Sequence, residues 1–172
     1  MRKLISLLAI CAAAACAGQP VNRSSTAPLP VAAVETGAYL GLWHEAARLP
    51  NRFERDCVAA TAQYDLRPEG ALSVRNTCYR AEGGVREVVG RARRTSETEG
   101  RLKVSFFGPF WADYWVLARA EDYSWSIVGE PSGRYLWVLT RSASVSQSER
   151  ADFEDRLRAL GYDPAALIWN GA

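Results

Sequence analysis

This chain has few residues of the types that catalyse reactions or bind metals. Its densest group of distinctive side chains is aromatic. The stretch KVSFFGPFWADYW (103–115) places six of the 18 aromatic side chains between Phe106 and Trp115. The chain has one histidine, His44, so it lacks the ligands that a zinc site needs. His44 is also the one histidine that could act as the base of a hydrolytic triad. We therefore expect no metal and no cofactor, and the aromatic stretch indicates either a packed core or the wall of a cavity for a hydrophobic molecule.

The composition is that of one soluble globular domain. The 172 residues are 48% hydrophobic and 23% charged, and Lys and Arg exceed Asp and Glu by two. Arg2 and Lys3 account for that excess, so the rest of the chain is formally neutral. A nucleic-acid-binding protein needs a basic field. We therefore expect no nucleic-acid partner.

The N-terminus has the pattern of a leader that is removed on export. In MRKLISLLAICAAAAC, two positive charges precede an apolar stretch that is too short to span a bilayer, and small residues follow it. This pattern predicts a signal peptide over residues 1–15. Cys16 after three alanines resembles a bacterial lipobox, in which the cysteine is lipidated, although Ala13 stands where Leu is usual. Ordinary secretion, with cleavage near Ala15 or Ala17, is the alternative.

The segment after the leader is rich in proline and serine. Residues 17–36, AGQPVNRSSTAPLPVAAVET, contain three prolines and a Ser-Ser-Thr cluster with no hydrophobic period. We expect residues 16–36 to form a lipidated cysteine and a flexible tether, reaching at most ~65 Å. The folded domain would then occupy residues 37–172.

Two cysteines remain within the domain, and an exported protein favours their pairing. Cys57 and Cys78 lie at similar distances on either side of the turn at 68–70, so we expect a disulfide worth about 3 kcal/mol. If even-numbered residues of both flanking strands face inward, however, the two cysteines point to opposite faces. The disulfide then requires a bulge or a strand end, and two unpaired thiols are the alternative.

Short runs of strand-forming residues alternate with turn signals from Trp43 onward. No crossover helix separates them, so neighbouring strands must be antiparallel, in a sandwich or a closed meander barrel. We predict strands over 42–49, 57–67, 71–80, 85–94, 101–107, 112–119, 123–130 and 134–141.

The last strand, RYLWVLTR, is apolar on both faces, so another element must cover its outer face. The segment SQSERADFEDRLRALG is the helix that fits: Ser146 and Glu149 make a capping box, and Gly161 suits the helix end. A stripe of Phe153, Leu157 and Leu160 forms its apolar face. We expect this helix to pack outside the last strands.

Several motifs in this order resemble a known family. Gly41-Leu42-Trp43 resembles the Gly-x-Trp block that opens lipocalins, and Arg141 falls where lipocalins keep an arginine against that tryptophan. KVSFFGPF, NRFER, TAQYDL and LIW resemble the bacterial outer-membrane lipoprotein lipocalins, relatives of apolipoprotein D, across residues 39–169. One block departs, because Glu121-Asp122-Tyr123 stands where many lipocalins have Thr-Asp-Tyr. The resemblance implies an all-β, eight-stranded antiparallel up-and-down barrel with one C-terminal amphipathic helix packed on its outside.

The resemblance also implies where a ligand binds. It places ligand contacts at Trp111 and Trp137, while alternation turns Val104 and Phe106 inward. The expected ligand-binding residues are Trp111, Trp137, Phe106, Val104, Tyr135, Tyr114, Leu102 and Tyr64. Gly41, Trp43 and Arg141 are expected to close one end of the barrel, and Phe107 and Trp115 to be packed core.

These expectations together predict a carrier. The ligand would be a fatty acid or lysophospholipid, and the lipid on Cys16 would attach the protein to the bacterial outer membrane, a sorting that Ala17 permits by resemblance. A periplasmic or secreted protein is the alternative location. Three alternative functions remain: a ligand-free structural or interaction barrel, an envelope enzyme using His44, and a carrier of haem or another pigment.

Overall fold

A computed structural model describes residues 20–68, 70–96 and 99–170 of the chain. Nine strands, two α-helices and one 3-10 helix follow one another within these ranges. In chain order they are α1 (Thr36–Tyr39), β1 (Gly41–Arg48), β2 (Cys57–Leu66), β3 (Leu72–Arg80), β4 (Val85–Arg94), β5 (Arg101–Ser105), β6 (Ala112–Arg119), β7 (Trp125–Gly129), β8 (Leu136–Thr140), α2 (Gln147–Ala159), the 3-10 helix Pro164–Ala166 and β9 (Ile168–Trp169).

The first eight strands form a closed meander barrel. Each strand from β2 to β8 pairs antiparallel with the next, and β1 closes the ring by pairing with both β8 and β2. The predicted fold class is confirmed, and every predicted strand agrees with the structure to within two residues at each end. The sandwich is thereby excluded.

Antiparallel order divides the connections between two ends of the barrel. The connections 49–56, 81–84, 106–111 and 130–135 lie at one end, which we call the mouth. The connections 67–71, 95–100 and 120–124 lie at the other, which we call the closed end, and α1 leads into β1 there.

The apolar side chains form a core inside the barrel and a second core outside it. The inner core includes Trp43 and Leu139, which lie at inward positions of β1 and β8. The outer core joins Val138 of β8 to Phe153 and Leu157 of α2. The predicted capping box at the start of α2 and the predicted packing of this helix are both confirmed. Neither helix in the described ranges has the length and apolar run that a membrane span needs.

Strand β1 changes its partner halfway along. Gly41 to His44 pair with β2, a bulge follows between Glu45 and Ala47, and Ala47 and Arg48 then pair with β9. Near the mouth, β9 thus takes the place beside β1 that β2 has left. Strand β9 therefore extends the sheet beside β1 at this point.

The segment before α1 differs from the expected flexible tether. Residues 20–35, which we call the N-terminal strap, lie along the barrel and bury Leu29 and Val34. Arg23 donates to the carbonyl oxygens of Leu160, Ser25 and Ala27 at 2.9, 2.6 and 2.6 Å. The tether predicted over 16–36 is thus wrong from residue 20 onward, because backbone and guanidinium hydrogen bonds fix this part. The predicted signal peptide and the lipidated Cys16 lie outside the described residues.

The expected disulfide is present, and so is the irregularity that it requires. Cys57 and Cys78 are bonded, with 5.3 Å between their Cα atoms. The register of β2 against β3 shifts between Cys57 and Ala59, which is a bulge. The extra residue changes the face that Cys57 presents, so both sulfurs meet in spite of their sequence parity.

Candidate functional site

A tryptophan–arginine pair seals the closed end. Trp43 is fully buried, and the Arg141 guanidinium carbon lies 3.7 Å from its ring centroid. Arg141 also donates to the carbonyl oxygens of Leu42, Leu40 and Ala38 at 2.6, 2.9 and 3.0 Å. This contact has the geometry expected of a cation–π pair. The pair ties α1 and the start of β1 to the end of β8.

Inward side chains become more exposed from the closed end towards the mouth. On β5 and the residue after it, Leu102 is buried, whereas Val104 and Phe106 are partly exposed. On β8, Leu139 is buried and Trp137 is partly exposed. The interior is therefore a cup, sealed at its base and open to solvent near the mouth, with an apolar and aromatic lining.

Three tyrosine hydroxyl groups meet inside the lower half of the cup. The Tyr114 hydroxyl lies 2.9 Å from those of Tyr39 and Tyr64, and Tyr39 also lies 3.1 Å from the Ser126 hydroxyl. Burial raises the pKa of Tyr39 to about 12, and it raises the pKa values of Tyr64 and Tyr114 as well. The cluster is therefore neutral. Four hydroxyl protons serve three contacts within it, so one proton remains for a bond elsewhere.

Aromatic rings line the mouth beside the β1–β2 connection. The rings of Tyr135 and Trp137 are stacked, with 6.0 Å between centroids and 7° between planes, and Phe53 lies 5.9 Å from Tyr135. The indole nitrogen of Trp137 donates to a Glu54 carboxylate oxygen at 2.9 Å. This hydrogen bond fixes the orientation of the Trp137 ring at the entrance of the cup.

A buried polar cluster adjoins Trp137. Arg48 donates to a Glu45 carboxyl oxygen at 2.8 Å and to the Asn170 side-chain oxygen at 2.9 Å, and its Nε lies 3.9 Å from Glu54. Burial, followed by the negative charge of Glu54, raises the pKa of Glu45 to about 8 despite the attraction of Arg48. Burial beside Glu54 thus favours the protonated form of Glu45 within this cluster.

Trp111 does not lie with the interior residues. Its ring packs against two guanidinium groups, with the Arg93 and Arg91 carbons 4.5 and 5.7 Å from the ring centroid. Both arginines alternate on β4 with the buried, inward Ala92. Trp111 therefore lies on the outer face of the barrel, and its expected ligand contact is not supported by its position.

Phe107 and Trp115, in the same stretch, were both expected to be packed core. Phe107 was expected in the core, but 71% of it is exposed. Trp115 packs against the outer core and stacks with Arg101 at 4.8 Å, so it is a core residue on the outside of the barrel. His44 alternates with Trp43 and Glu45 and faces away from the interior.

The remaining expected ligand-binding residues lie inside or at the mouth of the cup. Val104, Phe106, Tyr114, Leu102 and Tyr64 belong to the interior clusters, and Tyr135 and Trp137 lie at the mouth.

The polar cluster and Phe53 were not predicted from the sequence. One signal was available for Glu45, because it has the same parity on β1 as Trp43 and so points a carboxyl group inward. Phe53 and Glu54 lie in an irregular connection, and Asn170 reaches the cluster only through the pairing of β9 with β1.

Comparisons with known proteins agree with this geometry. Residues 34–172 match the family described as Lipocalin-like domain. Outer membrane lipoprotein Blc of Vibrio cholerae is 37% identical over 172 residues, 98% of each chain, and the protein of the same name in Escherichia coli strain K12 is 38% identical over 169 residues, 95% of this chain and 96% of the other.

A more distant relative and a solved structure are also similar to this chain. Apolipoprotein D of Macaca fascicularis is 35% identical over 127 residues, 67% of this chain and 64% of the other. The crystal structure of insecticyanin from the tobacco hornworm Manduca sexta superposes with a TM-score of 0.68 over 85% of each chain, at 23% identity. With its sealed base, its cup and these relatives, the chain belongs to the lipocalin family.

Proposed function

We propose that the protein binds and carries a single-chain lipid, a fatty acid or a lysophospholipid, in the bacterial cell envelope. The observation that carries this proposal is the change in exposure along the interior, from buried Leu102 to accessible Val104 and Phe106. A cup of this kind accepts an apolar chain at its entrance and stops it above the tyrosine cluster. The headgroup then stays near Trp137.

The expected affinity follows from the length of the chain that is buried. About fourteen methylenes at ~0.8 kcal/mol each give a gross ~11 kcal/mol. Lost translational and conformational freedom removes a large part, which leaves a micromolar or somewhat tighter dissociation constant.

Carriage suits the interior better than catalysis does. The polar side chains that meet inside are neutral phenols and a carboxyl pair bonded to Arg48 and Asn170, and the sole imidazole, His44, faces outward. Within the described ranges, no three His, Cys, Asp or Glu side chains come together to hold a metal ion.

We also propose attachment to the outer membrane through a lipid on Cys16. Two supports are the lipobox-like sequence and the names of the Vibrio cholerae and Escherichia coli relatives, which are outer membrane lipoproteins. Mass spectrometry of the protein from its own envelope tests this attachment, because lipidation adds acyl chains to the peptide that begins at Cys16.

Titration with a fluorescent fatty acid tests the ligand site. We expect Trp137→Ala to weaken binding at least tenfold, since Trp137 lies at the entrance of the cup. Trp111→Ala is the matched control and leaves the affinity unchanged, because Trp111 stacks on Arg93 outside the barrel. Displacement by a lysophospholipid then compares the two ligand classes. Equal affinity of wild type and Trp137→Ala would remove the site assignment, and no binding of either ligand would remove the carrier function.

A further inference from the structure

The course of the N-terminal strap determines which end of the barrel lies closer to an anchor at the N-terminus. The Asn22 amide donates to the carbonyl oxygen of Gly133 at 3.3 Å, in the mouth connection 130–135. Ten residues later, Ala32 accepts a hydrogen bond from the Gly100 amide at 2.7 Å, in the closed-end connection 95–100. The strap thus starts at the mouth and runs to the closed end.

The distance from the strap to Cys16 is short. Five residues lie between Cys16 and Asn22, and the six residue steps between them span at most about 20 Å when fully extended. A ten-residue strand such as β2 is roughly 33 Å long. A lipid on Cys16 therefore holds the mouth, and not the closed end, next to the bilayer surface.

The mouth also presents the exposed phenylalanines. Phe107 and Phe110, on the β5–β6 connection, are 71% and 76% exposed, and Phe53 on the β1–β2 connection is 52% exposed. Among the described residues, these are the three phenylalanines that are more than half exposed. Aromatic side chains grouped at one end of a water-soluble barrel indicate a contact surface. Rings of this kind partition well into the interfacial region of a bilayer.

The charges around the mouth do not favour a strongly acidic partner. The mouth connections carry both signs, with Arg52, Arg55 and Arg134 against Glu54, Asp56, Glu82 and Glu130. These charges nearly balance within the connections, so the proposed contact rests on the exposed phenylalanines.

We propose that the mouth of the barrel docks on the membrane surface, with Phe107 and Phe110 inserted among the lipid headgroups. This inference rests on the proposed attachment at Cys16. In this orientation the cup opens directly onto the bilayer, and a single-chain lipid passes between bilayer and interior without crossing bulk water.

Quenching of introduced tryptophans by brominated lipids tests the orientation. The full-length lipoprotein is reconstituted into zwitterionic vesicles whose acyl chains are brominated near the headgroups, and each variant is compared with the wild-type fluorescence. Phe110→Trp places a reporter at the mouth. Leu66→Trp is the matched control, because Leu66 is 57% exposed at the closed end.

We expect brominated lipid to quench the fluorescence added by Phe110→Trp at least threefold more than that added by Leu66→Trp. Adding Phe107→Ser to Phe110→Trp lowers the quenching, since one inserted ring is lost. Equal quenching of the two reporters, in protein that sediments with the vesicles, overturns the docked orientation alone. Protein that lacks acyl chains and stays in the supernatant overturns the attachment at Cys16 and the docking with it.

Discussion

Replacement of Arg141 tests whether the closed end holds the barrel together. The guanidinium group donates to the carbonyl oxygens of Leu42, Leu40 and Ala38, and its carbon lies 3.7 Å from the centroid of Trp43. Each hydrogen bond contributes ~1 kcal/mol net, a value at the low end for a charged donor because the site is partly exposed. The cation–π contact contributes ~1 kcal/mol. We expect Arg141→Met to lower the free energy of unfolding by about 3 to 4 kcal/mol.

Urea unfolding with the disulfide intact measures this change, and a loss of about 3 kcal/mol lowers the Tm of a domain of this size by roughly 10 °C. Arg141→Lys keeps a charge over the ring but only part of the hydrogen bonding, so we expect about half the loss. Arg75→Met is the control: its ion pair with Glu87 is half exposed and contributes less than ~0.5 kcal/mol. A loss below about 1 kcal/mol in Arg141→Met would refute the reasoning.

Three further changes test other parts of the barrel. Replacing Cys57 and Cys78 together by serine should lower the free energy of unfolding by about 3 kcal/mol, as measured in urea, and reduction of the wild type should match it. Gly90→Ala should destabilise by roughly 1–3 kcal/mol, because the added Cβ would lie 2.6 Å from the carbonyl oxygen of Ser105 and 2.7 Å from the Phe106 ring. Displacement of that ring should also weaken fatty-acid binding, and unchanged binding would contradict its packing in the interior. Folding raises the pKa of Glu45 from 4.5 to about 8, so the stabilisation is complete below about pH 4.5 and is lost as the pH rises to about 8. Glu45→Gln should flatten the fall in the urea midpoint between about pH 5 and pH 8.5, and an unchanged slope would show that Glu45 is not its cause.

Strand boundaries were predictable because the barrel wall is regular. Alternation on the strands and turn residues between them are local properties, and they gave all eight strands. The two-sided apolarity of 134–141 also predicted the covering helix, which packs on Val138 through Leu157.

Other features depend on contacts that no local pattern contains. The strap has the composition of a linker, yet Arg23 reaches the carbonyl oxygen of Leu160, far along the chain. Trp111 follows Gly108-Pro109, where strand alternation is interrupted, so its face could not be counted from Val104. Its outward position depends on the guanidinium groups of Arg91 and Arg93 on a different strand. The alternation of the strands showed that a disulfide between Cys57 and Cys78 needs a bulge or a strand end. No residue type indicated where in β2 the bulge lies.

Because β1 changes its partner, the backbone hydrogen bonding of the barrel wall differs between the closed end and the mouth. Around the base, backbone hydrogen bonds encircle the molecule without interruption, whereas at the rim the circle is cut between β1 and β2. There β9 pairs with β1 alone, and the Arg48 guanidinium group reaches β2 by donating to the carbonyl oxygen of Cys57 at 2.9 Å. Because fewer backbone hydrogen bonds join the strands here, we expect this part of the rim to yield to a bulky lipid more readily than the base does. A chain that ends at Leu167 lacks β9 and Asn170. We expect this truncation to raise the rate of ligand dissociation with little loss in the free energy of unfolding.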